Sequence, residues 1–401
     1  MTYNFDEIVD RSGTYSSKWD EGVQKELFGR SGLLPYWVAD MEFKAAPEIL
    51  KALEDRVHHG IFGYTARPAE YYQGVINWTR KRFGWDVERE WILFTPGIVP
   101  GVNYVIQALT EEGDGVIINE PVYYPFSRSI EENDREVVNS PLVMKDNRYH
   151  IDFEDLEEKA RDPRNKLYVL CSPHNPVSRV WSREELRKVG EICLENDVYV
   201  LADEIHNDLI LGENRHTMFA SVDKGFEDIS ITATSTTKTF NLAGFYASNI
   251  IIPNKEIRGR VEKVLLKNSI GNQGPLSIEA VMAAYNHGEE WLEDLLVYLQ
   301  ENVKFTREYL KERLPDIDFT ETEGTYLMWL DFRAYEKDGR TLEKVLVEKG
   351  EVALDGGTWF GDGGDGFMRL NVAAPRDFLK EGLDRIVKAI TEEYIAENNE
   401  Q

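Results

Sequence analysis

Six short apolar runs, separated by longer amphipathic ones, constrain this 401-residue chain more than anything else in it. They are WILFTPG, DGVIINEP, NKLYVLCSP, DVYVLADEIH, ISITATST and ASNIIIP. Most are continuously apolar at their centre, and all are free of charge there, so they read as strands buried on both faces. Between several of them lie helical patterns. The clearest is SREELRKVGEICLEN, where Ser182 and Glu185 are spaced as a capping box. Strands alternating with helices predict an α/β domain with a mostly parallel sheet and helices on both faces. After about Asn286 the pattern changes to a long helix, Glu289 to about Leu314, then GTYLMWLDF, TLEKVLVEKG, GFMRLNVA and a terminal helix from Pro375. A large domain over 48–286 is therefore expected, with a smaller α+β domain built from 1–47 and 287–401.

In parallel sheets, ligands sit at the carboxyl ends of the strands. The residues there are Thr95-Pro96-Gly97, Tyr123, His174-Asn175-Pro176, Asp203-Glu204-Ile205-His206 and Ser235-x-x-Lys238. Lys238 is the only charged side chain between Ile229 and Asn254, in a chain where 29% of residues are charged. A lysine among small neighbours in a poorly solvated place becomes a neutral amine, and neutral amines attack carbonyls. Alone it would read as a turn lysine reaching for water. Asp203 ends VYVLAD, where an ionised carboxylate needs a partner: an arginine, a helix cap, or a cationic ring nitrogen. Gly97 joins a strand to a helix, so backbone N–H groups there can face an anion. Tyr123 is either a core aromatic or a platform for a flat ring. Asn175 is either an Asn-Pro turn or a donor to a ring oxygen. His206 is either a buried, satisfied histidine or a cofactor contact. Arg369 interrupts the apolar GFMRLNVAAP and requires an anion, from the protein or from a substrate. Taken together in this order, a buried Asp, a lone Lys and clustered hydroxyls suit pyridoxal 5′-phosphate (PLP).

The order Gly97, Tyr123, Asn175, Asp203, Lys238, Arg369 resembles the class I/II aminotransferase family of fold type I PLP enzymes. LLPYWVADMEF, HGIFGYT, SPHNP, DEIHND and TKTFNLAG are similar to its bacterial cystathionine β-lyase branch, the MalY/PatB type of C–S lyase. The resemblance implies a mostly parallel, seven-stranded-type sheet flanked by helices, plus the smaller domain. It implies that Lys238 carries the cofactor aldehyde and that Asp203 pairs with the pyridine nitrogen. Asn175 would bond the ring oxygen, and Tyr123, or its neighbour Tyr124, would stack on the ring. Gly97, Ile98, Val99 and Ser235 would hold the phosphate, with His206 also against the cofactor. Tyr64 would reach the phosphate of a neighbouring subunit, making a homodimer with composite sites. Arg369 would bind the substrate carboxylate, with Asn175 and Ala39 lining the substrate pocket. The catalytic set is Lys238, Asp203 and Tyr123. Two positions depart from the family pattern. Tyr246 stands where many relatives carry a phosphate-binding Arg, and Ser178 stands where a glycine would permit positive φ.

The expected activity is cleavage of L-cystathionine or a related cysteine S-conjugate to a thiol, pyruvate and ammonia. An aminotransferase on the same scaffold is the alternative, and a regulatory protein binding a transcription factor is a third reading. With 46 Lys+Arg against 72 Asp+Glu the net charge is −26, which disfavours nucleic acid and anionic membranes as partners. Cys171 and Cys193 have no metal or redox spacing, and no metal is expected. The polar start MTYNFDEIVDRSG is not patterned as a secretory signal and no apolar run approaches a membrane span, so a cytoplasmic location is expected.

Overall fold

The structure is a computed structural model and describes residues 2–395. Met1 and residues 396–401, which the expected small domain includes, lie outside the described residues.

The six apolar runs form six strands of a seven-stranded sheet. Its order is Ile92–Thr95, Ser248–Ile251, Ser230–Thr234, Tyr199–Asp203, Asn165–Cys171, Gly115–Ile118 and Glu136–Asn139. The last is an edge strand, too mixed in polarity to stand out in the sequence. Only Ser248–Ile251 runs against its neighbours. The pairing of Ser230–Thr234 with this antiparallel strand explains the uncharged segment around Lys238. A parallel successor would need a crossover helix with a solvated face, whereas here residues 235–247 fold back directly over the strand ends.

Side chains along each strand alternate between two apolar layers. Val116, Ile118, Leu167, Val169 and Leu201 pack with the helices Ile98–Leu109 and Lys255–Lys267. Ile117, Tyr168, Leu170, Val200 and Ala202 pack on the opposite face with Phe153–Ala160 and Arg183–Glu195. The last helix begins with the expected capping box between Ser182 and Glu185. Because Leu201 faces the first layer, Asp203 emerges on that same side at the end of its strand.

A second, antiparallel sheet contains Asp318–Phe319, Leu327–Asp331, Phe367–Asn371 and Asp355–Gly356. It packs with the long helix Glu289–Arg313 and the terminal helix Arg376–Ile390 in a core that also takes in Phe5, Tyr36 and Met41. Leu34–Pro35 adds a parallel bridge to Val352–Ala353, tying the N-terminal segment to this part of the chain. Ser178 has φ +59°, the left-handed conformation that a glycine would otherwise supply. Its hydroxyl bonds the Leu327 carbonyl, which secures the turn to the second sheet.

Candidate active site

The carboxyl ends of the central strands open into a cavity of about 370 Å³. Ala39, Gly97, Ile98, Val99, Tyr123, Asn175, Asp203, His206, Lys238 and Arg369 all line it, so residues spread over 330 positions of sequence meet in one place. Ser235 stands behind the wall. Its hydroxyl accepts from Thr237 N and donates to the Ala247 carbonyl at 2.6 Å, and Thr237 faces the cavity in its stead. Tyr64 is not part of the lining. It is fully exposed, next to the exposed Ile61 and Phe62, in the irregular segment 60–68.

Lys238 lies within the single-turn helix Thr236–Thr239. Its Nζ donates to the Ala39 carbonyl at 2.7 Å, and the Tyr326 hydroxyl donates to the same oxygen at 2.8 Å. Burial lowers the Lys238 pKa to about 8, against the pull of Asp40 and Asp203 and with help from the positive Arg369. Burial pushes Asp203 the other way, up to about 7. Its Oδ1 accepts from Ile205 N at 3.1 Å, and no side-chain donor reaches the carboxylate among the described residues. A buried acid so placed is a host for a cation that the chain itself does not supply.

Arg369 is almost fully buried. Nη1 donates to Asn175 Oδ1 at 2.9 Å, and Nη2 donates both to the Trp37 carbonyl at 2.8 Å and to Asp355. Its Nε has no partner among the described residues. Phe360 covers one face of the guanidinium, 5.0 Å from Cζ to ring centroid. Tyr124 packs edge-on against Trp359 and Phe360, whereas Tyr123 packs edge-on against Phe126 within the large sheet's helical layer.

The remaining donors match an aromatic aldehyde phosphate. Gly97, with φ +109°, opens helix Ile98–Leu109 with no side-chain cap, leaving first-turn N–H groups for an anion. Ser248 Oγ, in the cavity lining, is buried without a partner among the described residues; Thr236 Oγ1 is unpaired as well but lies outside the lining. Tyr246, which stands where many relatives carry an arginine, is left-handed and mostly exposed at the cavity edge. His206 is buried as expected but not satisfied: its Nδ1 is unpaired, and burial holds the ring neutral. Unpaired hydroxyls and N–H groups at one end, the lowered lysine in the middle and an unpaired acid together fit PLP. Sequence reasoning missed Ser248, Thr237 and Asp355. Ser248 lies in the same quiet hydroxyl-rich stretch as Lys238 and was findable there. Asp355 follows only three apolar residues, Val352 to Leu354, a weaker signal than the longer runs of the large sheet. No group of metal-binding side chains occurs among the described residues, and no helix among them is long and apolar enough to cross a membrane.

Comparison with known proteins gives a consistent result. The family model "Aminotransferase class I and II" matches residues 38–390. Cystathionine β-lyase PatB of Bacillus subtilis is 45% identical over 388 residues, covering 97% of this chain and 100% of that one. Protein MalY of Escherichia coli is 32% identical, covering 97% and 99%. Among solved structures, cystalysin from Treponema denticola, which contains PLP, superposes with TM-score 0.94 at 38% identity, covering 98% and 100%. The PLP-bound C–S lyase from Staphylococcus hominis gives 0.91 at 36% identity, covering 97% and 98%.

Proposed function

The chain belongs to the class I and II aminotransferase family, and from that premise we propose that it is a PLP-dependent carbon–sulfur β-lyase acting on L-cystathionine or a related cysteine S-conjugate. The observation that carries the reaction type is the end-to-end similarity to PatB. The cavity supplies the chemistry such a reaction needs. Bound PLP contributes an aldehyde for the substrate amine and a ring that accepts negative charge from Cα.

Every other part is done by the chain. Lys238 holds the cofactor and, once free, its amine takes the Cα proton. Its lowered pKa makes a neutral base accessible near neutral pH. The Ala39 carbonyl and Tyr326 hydroxyl give the free amine a fixed place to rest. Asp203, buried and lacking a side-chain donor, keeps the ring nitrogen protonated. Ile98 and Val99 N–H groups with Thr237 and Ser248 hydroxyls hold the phosphate, and Ser235 orders Thr237. Tyr123 forms the stacking platform, since Tyr124 is engaged by Trp359 and Phe360. Asn175 orients Arg369 through Oδ1, which leaves its amide hydrogens for the ring oxygen. Arg369 binds the substrate carboxylate. With negative charge at Cα, the adjacent Cβ–S bond breaks and the thiolate leaves, and the three-carbon remainder hydrolyses to pyruvate and ammonia.

The active unit in this reading is a homodimer. A tyrosine projecting fully into solvent beside Ile61 and Phe62 suits a residue that completes a partner's site. The reading retains the division into a large domain over 48–286 and a small one from the remainder, and a cytoplasmic location, which two free buried cysteines suit. The test is a product assay with L-cystathionine and no keto acid. Many turnovers of pyruvate and homocysteine are expected. Product that stops at one equivalent per site and resumes on adding a keto acid would replace this reading with an aminotransferase.

A further inference from the structure

The hydrogen bonds of Arg369 leave no complete face for an incoming carboxylate. A guanidinium has five N–H donors, and each pair of parallel donors that grips a carboxylate includes a hydrogen of the same terminal nitrogen, Nη2. Both Nη2 hydrogens are taken, one by Asp355 and one by the Trp37 carbonyl. What remains is Nε–H and the second Nη1 hydrogen, which do not lie side by side.

We propose that Asp355 is a positioning residue that occupies Arg369 in the absence of substrate, yields its Nη2 hydrogen to the substrate carboxylate, and takes up a proton as it does so. The inference rests on the reading of Arg369 as the carboxylate site. Asp355 is fixed opposite Arg369 in the antiparallel pair of strands and is 2% exposed, so it cannot swing out into bulk water when displaced, while its place in the cavity lining lets a proton reach it. Two carboxylates on one buried guanidinium would leave an uncompensated negative charge, and one of two such anions binds a proton. The next cation, Lys18, cannot take over the charge, because it already bridges Asp40 at 3.3 Å and Glu42 at 2.6 Å.

The groups around the pair determine where this is visible. Asp355 is pushed up to about 6 by burial, against the pull of Arg369 and Lys18. Glu343, from the helix Gly339–Val345, sits behind it and is pushed up to about 7 by burial and by Asp355. Tyr123 and Tyr124 are raised and stay neutral, and His206 stays neutral. Lys238 and Asp203 are engaged by the cofactor in the holoenzyme. Above pH 6, then, Asp355 is ionised before the carboxylate binds and protonated afterwards. Binding weakens as pH rises, by close to tenfold per unit.

The probe is 3-(methylthio)propionate, which has the carboxylate and the sulfur but no amine to titrate or react. Its inhibition constant against the holoenzyme is measured from pH 6.5 to 8.5. Wild type should weaken by tens-fold or more over that range, and Asp355→Asn should bind the probe more tightly at pH 8.5 with a nearly flat profile. Glu343→Gln should keep the slope. A flat wild-type profile overturns the proposal without any variant, as does a slope that survives in Asp355→Asn or vanishes in Glu343→Gln. Asp355→Ser serves if the Asn protein does not fold with its cofactor. Arg369→Leu separates the two levels of inference. If it leaves probe binding unchanged, the carboxylate site itself is misplaced. If it abolishes binding while Asp355→Asn keeps the slope, only the role of Asp355 fails.

Discussion

Removing the cofactor should uncover a pH-dependent instability that belongs to one residue, Asp203. In the cofactor-free chain its pKa is about 7 against an ordinary 3.8, because burial penalises the charged form and only a backbone N–H and the charge of Lys238 offset it. The sign follows from proton binding. Between these two values the folded state holds a proton that the unfolded state has lost, so stability falls as pH rises. The loss is absent below 3.8 and complete above about 7. At about 1.36 kcal/mol per unit, it amounts to roughly 4 kcal/mol. Asp203→Asn keeps an oxygen for Ile205 N and cannot ionise. The apo variant should therefore exceed apo wild type by only about 1 kcal/mol at pH 4.5 and by about 4 kcal/mol at pH 8. Asp355, raised in the same direction, is common to both proteins and cancels. Urea unfolding at one protein concentration measures the difference. Adding PLP at pH 8 should stabilise wild type far more than the variant. An apo difference that does not change between pH 4.5 and 8 would refute the claim that Asp203 is an ion held without its partner.

Three further outcomes check the site. Lys238→Ala should fold but lose both turnover and the borohydride-reducible link to the cofactor; a link that survives, seen by mass spectrometry, means another lysine carries it. Arg369→Leu should raise KM and lower kcat/KM by roughly 30-fold to several thousand-fold, the range of about 2–5 kcal/mol for a buried ionic partner left alone; an unchanged KM would remove it from substrate binding. Mixing inactive Lys238→Ala with Tyr64→Ala subunits should restore activity, because one hybrid site has both residues intact; a fully active monomer in sedimentation would end the composite-site reading.

Much of the site was legible because strand ends are punctuated. Asp203, Asn175, Gly97 and Lys238 each interrupt or end an apolar run, and the fold brings such ends to one edge. What stayed hidden depends on pairing between distant segments. The opposition of Asp355 to Arg369 is a register fact of two strands, one of them only two residues long. The unpaired state of Ser248 and His206 is a property of their surroundings, which no local pattern encodes. The edge strand Glu136–Asn139 is short and half exposed, so its apolar signal is weak. The chain's direction reverses at Ser248–Ile251 without any breaker other than the folded-back loop before it.

The loop around Ala39 shows how the N-terminal segment, which lines the cavity through Trp37, Val38 and Ala39, enters the chemistry through its backbone. Ala39 offers its carbonyl to Lys238 and to Tyr326, so its position sets where the free amine rests. The next residue, Asp40, is held by Arg11 at 2.7 Å, and Lys18 bridges Asp40 and Glu42. Asn371 donates to the Val38 and Asp40 carbonyls from the strand that carries Arg369. The base and the carboxylate site are therefore referenced to the same loop, one through Ala39 and the other through Trp37. Lys18 is 2% exposed, and deleting it would leave Asp40 with Arg11 alone and Glu42 short of a buried cation. Such a break displaces the loop rather than any catalytic group. Its effect should fall on proton transfer and carboxylate binding together, whereas loss of Arg369 alone falls first on binding.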